Sequence, residues 1–571
     1  MIAAKAIALA AIAGQVASAL PTLNSTTSNS SLPVVDFGYA LHRATINETG
    51  QYYNFSNIRY AAPPTGNLRF AAPVAPTEID RTINDGQQGA ICAQATPYWE
   101  EIASYFFQGA STTALKAVEA QVEAVESALT IANVGGPGPL VSEDCLFLDV
   151  IVPKTIYESA SGAPVLVWFF GGGYVSGSKF STGNPATLIS RSQENGGEGV
   201  IYVALNYRLG LFGWLSGPTF QESGSANAGL LDQRLALEWV QKYIHLFGGD
   251  PSRVTVMGES AGAGSIMHQI TAYGGQNGPA PFAQAIMQSP GFPPVVGSAQ
   301  QEETFQSVLT QAQALIGSNI TSVSALRSLD FTTLAALNTI VVARAAPYGQ
   351  FMFGPVVDGT FAPKLPGVLL LEGAYDSCVE IMVGHNSDEG LFFTSPFFST
   401  EADIVADISA TLPTASNATI QYITQTLYPP VYNGSYPYTT LFERANLITA
   451  ELSFTCNTRF FNTAFDNQTH AYYFAVPPGL HGEDIAYTFF NGDTTTSDDG
   501  LPVNATVATA LQRYITNFAM TGNPNGEGVA YFPEYQSNST TLVLGITGLG
   551  GVITDTTAND RCAWWQQALY A

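Results

Sequence analysis

The chain has 571 residues, 46% of them apolar and only 11% charged, with a net charge of −25. A typical globular chain is about 25% charged, so this surface must be polar through Ser, Thr, Asn, Gln and Tyr. Forty-five acidic residues against 20 Lys plus Arg argue against nucleic acid or an anionic membrane as partner and leave neutral or cationic small molecules.

Residues 1–19 read as a secretory signal peptide. One Lys precedes a short apolar run, and Ala17-Ser18-Ala19 has the small-residue form of a cleavage site. The run is too short to span a bilayer. Residues 20–34, rich in Ser, Thr and Asn, read as a flexible segment. Sequons at Asn24, Asn29, Asn47, Asn54, Asn319, Asn417, Asn433, Asn467, Asn504 and Asn538 suit a glycosylated extracellular protein. The C-terminal WWQQALYA carries no hydrophobic tail, so no integral membrane anchor is expected there.

Five cysteines occur: Cys92, Cys145, Cys378, Cys456 and Cys562. An odd count in an oxidising compartment leaves at least one unpaired or paired between chains. Order along the chain suggests Cys92–Cys145 and Cys456–Cys562, although sequence alone does not fix connectivity. Such loops would each contribute roughly 4–5 kcal/mol in the chain-entropy account. Cys378 adjoins the apolar run Val379 to Val383 and is expected to be a buried, inert thiol.

Between Cys92 and Cys145, Leu115, Val118, Val122, Val125 and Leu129 recur at alternating three and four spacing. That spacing makes one apolar stripe on a helix. Strands are expected at Pro164–Phe170, Val200–Asn206, Arg253–Met257, Ala283–Gln288, Val379–Val383 and Ala471–Val476. Most are continuously apolar, as strands buried on both faces of a parallel sheet are. An amphipathic helix, NAGLLDQRLALEWVQKYIHLFG, separates the second from the third and stops at Gly248-Gly249 and Pro251. The fold class is α/β, with functional groups beyond the carboxyl ends of strands.

The third strand runs into Gly258-Glu259-Ser260-Ala261-Gly262, the strand–turn–helix sequence of a nucleophile elbow. Chance alone supplies roughly 0.4 such matches in a chain of this composition, so the partners decide. A nucleophilic serine needs a base, an acid to orient it and donors for an oxyanion. In the order Ser…acid…His the base comes late, leaving His385, His470 and His481. His481 follows the strand AYYFAVP at its carboxyl end, whereas His470 precedes it, so His481 is the choice. For the acid, Asp388 and Glu389 both lie just past the Val379–Val383 strand, and the residues alone do not separate them. Gly171-Gly172-Gly173-Tyr174 follows a buried strand and resembles the donor loop of esterases. Gly172 and Gly173 with Ala261 would supply three oxyanion donors.

SEDCLFLDVIVP, NIRYAAPPTGNLRF, WFFGGGYVSGS, NYRLGLFGWL, FGGDPSRVTVMGESAGAGS, PVVDGTF and TNFAMTGNPN together resemble segments of the type B carboxylesterase/lipase family, the cholinesterase-like α/β-hydrolases. The resemblance implies one α/β-hydrolase domain over 35–571, with a large, mostly parallel central sheet flanked by helices. It implies Ser260 as nucleophile, Glu389 as acid and His481 as base, and Cys145 in the place of the family's disulfide cysteine. The expected activity is hydrolysis of a small-molecule or lipid ester, with no metal and no cofactor. In lipases of this family the corresponding disulfide loop, here 93–144, can be a lid. A lid would favour long-chain acylglycerols or sterol esters, whereas a packed helix would not. GGPGPLVSEDC has no aromatic residue where cholinesterases of this family bind quaternary ammonium. Adhesion relatives that lack the serine are set aside, since Ser260, Glu389 and His481 are all present.

Overall fold

Continuous apolar runs become the middle of one large sheet in the computed structural model. The structure describes residues 32–571 except 88, 318, 346, 493–496 and 499–500. The expected signal peptide, segment 20–31 and the sequons at Asn24 and Asn29 lie outside the described residues.

The strands of this sheet are β1 (Thr45–Asn47), β2 (Tyr52–Arg59), β3 (Phe147–Pro153), β4 (Ala163–Phe169), β5 (Ile201–Leu205) and β6 (Gly249–Glu259). They continue with β7 (Gln284–Gln288), β8 (Glu380–Asn386), β9 (His470–Phe474), β10 (Thr540–Leu544) and β11 (Val552–Thr554). Their order is β11-β10-β9-β8-β7-β6-β4-β5-β3-β2-β1. From β10 across to β5 every ladder is parallel, and both margins are antiparallel. Every residue of β4, β5 and β7 is buried, as two covered faces require. All six expected strands are present, and β6 begins earlier and ends later than the apolar run alone suggests.

The helices that matter for the site are α1 (Trp99–Phe107), α2 (Thr112–Ala128), α3 (Ala228–Tyr243), α4 (Ala261–Ile270), α5 (Ser298–Ile316) and α6 (Phe331–Ala345). The expected helix over 227–248 is α3 followed by a 3-10 turn at Ile244–Phe247. α3 and α4 pack on β6. One buried apolar cluster runs from Val35 to Tyr570.

Cys92–Cys145 and Cys456–Cys562 are both disulfides. Cys378 is exposed, not buried. It occupies the turn before β8, where its N–H donates to Asp376 Oδ1 at 3.0 Å, and burial begins one residue later at Val379. The stripe on α2 faces the body: Leu115 and Val122 are buried, and Val118, Val125 and Leu129 are half-buried. α2 packs on α1 and α6. Arg344 of α6 donates from Nε to Glu126 O at 2.9 Å and from Nη2 to Leu129 O at 2.9 Å, satisfying carbonyls that the end of α2 leaves open.

Candidate active site

Only Ser260 separates β6 from α4. Its backbone sits at φ 55°, ψ −123°, a conformation that costs an L-residue energy and persists only where the surroundings hold it. Three hydrogen bonds do so. The Ser260 N–H donates to Gln288 O at 3.0 Å, and its carbonyl accepts from the N–H groups of Gly264 at 2.8 Å and Gly291 at 3.1 Å. Gly262 is required by close approach, since a Cβ there would lie 2.1 Å from Phe169 O.

The glycine run after β4 folds over the same point. A Cβ on Gly171 would come within 2.9 Å of Ser260 Cβ. Gly172 holds φ 105°, which L side chains rarely adopt. Gly173, Ser260 and Ala261 line one cavity of ≈ 570 Å³. Ala261 opens α4, so its N–H has no acceptor within that helix.

The turn after β9 brings His481 to this place. Its Nδ1 donates to Glu389 Oε2 at 2.5 Å, and its ring packs against Phe454 and Phe393 at centroid distances of 4.2 and 5.1 Å. Both phenylalanines also line the cavity. Glu389 is buried just beyond β8. Its Oε1 accepts from Ser289 Oγ at 2.6 Å and from the Asn386 N–H at 2.5 Å. The geometry distinguishes the two acids that the residues alone left open, because Asp388 Oδ1 accepts from Asn446 Nδ2 at 2.6 Å instead. The other late histidines are engaged elsewhere, His385 with Thr458 and His470 with Pro533 O.

Three polar neighbours escaped sequence reasoning. Glu259 Oε1 lies 3.3 Å from His481 Nε2, and neither atom has a hydrogen-bond partner among the described residues. Ser289 holds Glu389, as described. Asp484 accepts from Tyr472 Oη at 2.7 Å and Gln288 Nε2 at 2.9 Å. A signal existed for Ser289, a polar residue just past the carboxyl end of buried β7, but only the fold shows what it faces.

These groups set one another's protonation. Burial pulls the His481 imidazole down, but the Glu259 and Glu389 charges and the Glu389 hydrogen bond outweigh it and raise it to about 9. Burial pushes Glu259 up to about 8 against the pull of the His481 charge. Burial also favours the neutral form of Glu389. The His481 charge and the hydrogen bonds from His481, Ser289 and Asn386 prevail, holding it below the usual carboxylate range. Glu259 and His481 therefore titrate as a coupled pair. One proton can rest on His481 with Glu259 ionised, or on Glu259 with His481 neutral.

Among the described residues, Glu451, Cys456 and Cys562 form the one grouping of possible metal ligands. Both sulfurs are in the disulfide and Glu451 is paired with Arg561, so this set does not fit a metal. No helix among the described residues is long and apolar enough to cross a membrane.

Residues 42–565 match the family model described as "Carboxylesterase family". The chain is 43% identical to Carboxylesterase patB of Penicillium expansum, over 94% of this chain and 96% of that protein. It is 32% identical to Secreted lipase 1 of Botryotinia fuckeliana, over 88% and 87% of the two chains. Among solved structures, EstA of Aspergillus niger superposes with a TM-score of 0.76 at 25% identity, covering 94% of this chain and 98% of that one. The chain thus belongs to the carboxylesterase family of α/β-hydrolases, and it is a carboxylic ester hydrolase.

Proposed function

We propose that the chain hydrolyses esters through Ser260 as nucleophile, His481 as base and Glu389 as orienting acid. The observation that carries this reading is the 2.5 Å hydrogen bond from His481 Nδ1 to Glu389 Oε2. It fixes the tautomer, leaving the Nε2 lone pair to accept a proton. Ser260 Oγ attacks the ester carbonyl and its proton passes to His481 Nε2. The resulting imidazolium is stabilised by Glu389 and returns the proton to the leaving alcohol. Water, deprotonated by the same nitrogen, then attacks the acyl-enzyme and releases the acid. The N–H groups of Gly172, Gly173 and Ala261 receive the oxyanion in both steps. Each such donor typically contributes about 2.7–4 kcal/mol to the transition state.

His481 must be neutral to act as base. Of the two one-proton arrangements, the one with the proton on Glu259 is competent, whereas the carboxylate charges beside His481 favour the other, so the neutral His481 that catalysis needs grows in as pH rises towards about 9. Residues 35–571 act as one domain, supported by the continuous core from Val35 to Tyr570. Secretion, with cleavage after residue 19 and glycosylation of exposed sequons, is supported by the secreted lipases among the relatives. Hydrolysis of p-nitrophenyl butyrate by wild type and Ser260→Ala tests the mechanism. A fall of about 10³-fold or more in kcat is expected, and equal rates would overturn it.

A further inference from the structure

Helix α5 sets a row of polar side chains along the cavity. Gln300, Thr304, Ser307 and Gln311 follow one another at four, three and four residues, the spacing that keeps side chains on one helix face. All four line the cavity on which Ser260 opens, and all four are half-buried. Phe305, Val308 and Ala312 on the other side of α5 are in the core, which holds the helix with its polar row towards the cavity. At about 1.5 Å per residue the row extends roughly 16 Å.

Thr304 Oγ1 already donates to Gln300 O at 3.1 Å. Among the described residues, the side-chain amides of Gln300 and Gln311 and the Ser307 hydroxyl are bonded to no protein group. Gln350, also on the cavity wall, differs, since its amide is engaged by Thr411 Oγ1 at 2.7 Å. Around Ser260 the wall is apolar, with Phe292, Phe393 and Phe454. The cavity thus joins an apolar reacting end to a polar wall on α5 where Gln300, Ser307 and Gln311 are uncharged and uncommitted; of its charged lining residues, Glu303 is exposed and Arg344 is engaged by the carbonyls of Glu126 and Leu129.

An alkyl chain laid along this row would strip water from three polar groups and replace none of their hydrogen bonds, a penalty that an oxygenated chain avoids. We infer that the substrate is a small ester with an oxygenated arm, bearing hydroxyl, ether or carbonyl groups, that lies along α5 and is hydrogen-bonded by Gln300, Ser307 and Gln311. The inference deepens the proposed reaction and rests on Ser260 being its nucleophile. It assigns α5 as the wall that separates such esters from long-chain acylglycerols.

The test compares kcat/KM for p-nitrophenyl decanoate, below its solubility limit, with that for its isostere in which two chain methylenes are ether oxygens. Each value is divided by the ester's own alkaline hydrolysis rate. Wild type is expected to favour the ether ester by about 10-fold or more, since sites built to hydrogen-bond reject analogues that cannot. In Gln300→Leu/Ser307→Ala/Gln311→Leu the ratio is expected to fall to about 1. Ser307→Ala alone, the smallest change, is expected to lower it several-fold, roughly the effect of one lost hydrogen bond. The ratio is taken within each variant, so a loss of folded protein cancels. A wild-type preference for decanoate, or a ratio that neither variant moves, would overturn the inference while leaving the hydrolase mechanism standing. Wild type inert towards both esters and towards p-nitrophenyl butyrate would overturn the Ser260 mechanism, and this inference with it.

Discussion

Glu259 Oε1 stands 3.3 Å from His481 Nε2, the nitrogen opposite the one bound to Glu389. The imidazole thus lies between two buried carboxyl groups, one committed to it by a hydrogen bond and one not. A carboxylate that close favours the imidazolium, so removing it must lower the His481 pKa. In Glu259→Gln the acid limb of the kcat/KM profile is expected to move to lower pH by about 1 unit or more. A limb that stays in place or moves to higher pH would exclude the coupling.

In the proposed triad Ser289 would act through Glu389 as a positioning residue. Its hydroxyl donates to Glu389 Oε1 at 2.6 Å, on the oxygen away from His481. A hydrogen bond to a buried charge contributes about 1.5–3 kcal/mol. Ser289→Ala is expected to lower kcat about 10-fold with KM little changed, because Ser289 does not line the cavity on which Ser260 opens. Steady-state kinetics separate the two constants. An unaltered kcat, or a change confined to KM, would remove Ser289 from this role.

The packed stripe on α2 bears on interfacial behaviour. Leu115 and Val122 are already buried on the body, and Arg344 ties the carboxyl end of the helix to α6. Opening this segment would expose buried side chains at about 1.5–3 kcal/mol each. Rates on tributyrin are therefore expected to saturate smoothly as the substrate passes its solubility limit. A sharp rise at that point would show that α2 opens as a lid.

Cys378 is exposed beside β8, while the other four cysteines are in disulfides. The native protein is expected to react with one equivalent of Ellman's reagent and to keep its esterase activity. No reaction until denaturant is added would mean that the thiol is buried, as the apolar run after it first suggested.

Much of this molecule is readable along the chain because its central strands are buried on both faces. Runs such as Val165 to Phe169 leave no alternation to confuse, and the glycines around Ser260 mark a turn where backbones nearly touch. The margin strand β2 is harder to read, because its pairing with β3 slips between Phe55 and Ile58 and breaks the alternation. The candidate site was legible where order along the chain carries meaning, as for the placing of His481 beyond β9 and beside Glu389. It was not legible where only folding creates the neighbour. Asp388 and Glu389 are adjacent in sequence and alike in chemistry, so that only the family resemblance chose between them, and the turn beyond β8 aims Glu389 at His481 and Asp388 at Asn446. Ser289 and the polar row on α5 are ordinary residues until the fold gives them something to face. Cys378 misled because burial changes within a single residue at the start of β8.

The central claim is that Ser260 forms the covalent bond. A p-nitrophenyl alkylphosphonate, which stops at the phosphonylated enzyme, reports this directly by peptide mass spectrometry. Stoichiometric labelling of the peptide carrying Ser260 is expected, in step with loss of esterase activity, and no labelling in Ser260→Ala. A label on another residue, or full inactivation with Ser260 unmodified, would contradict the account.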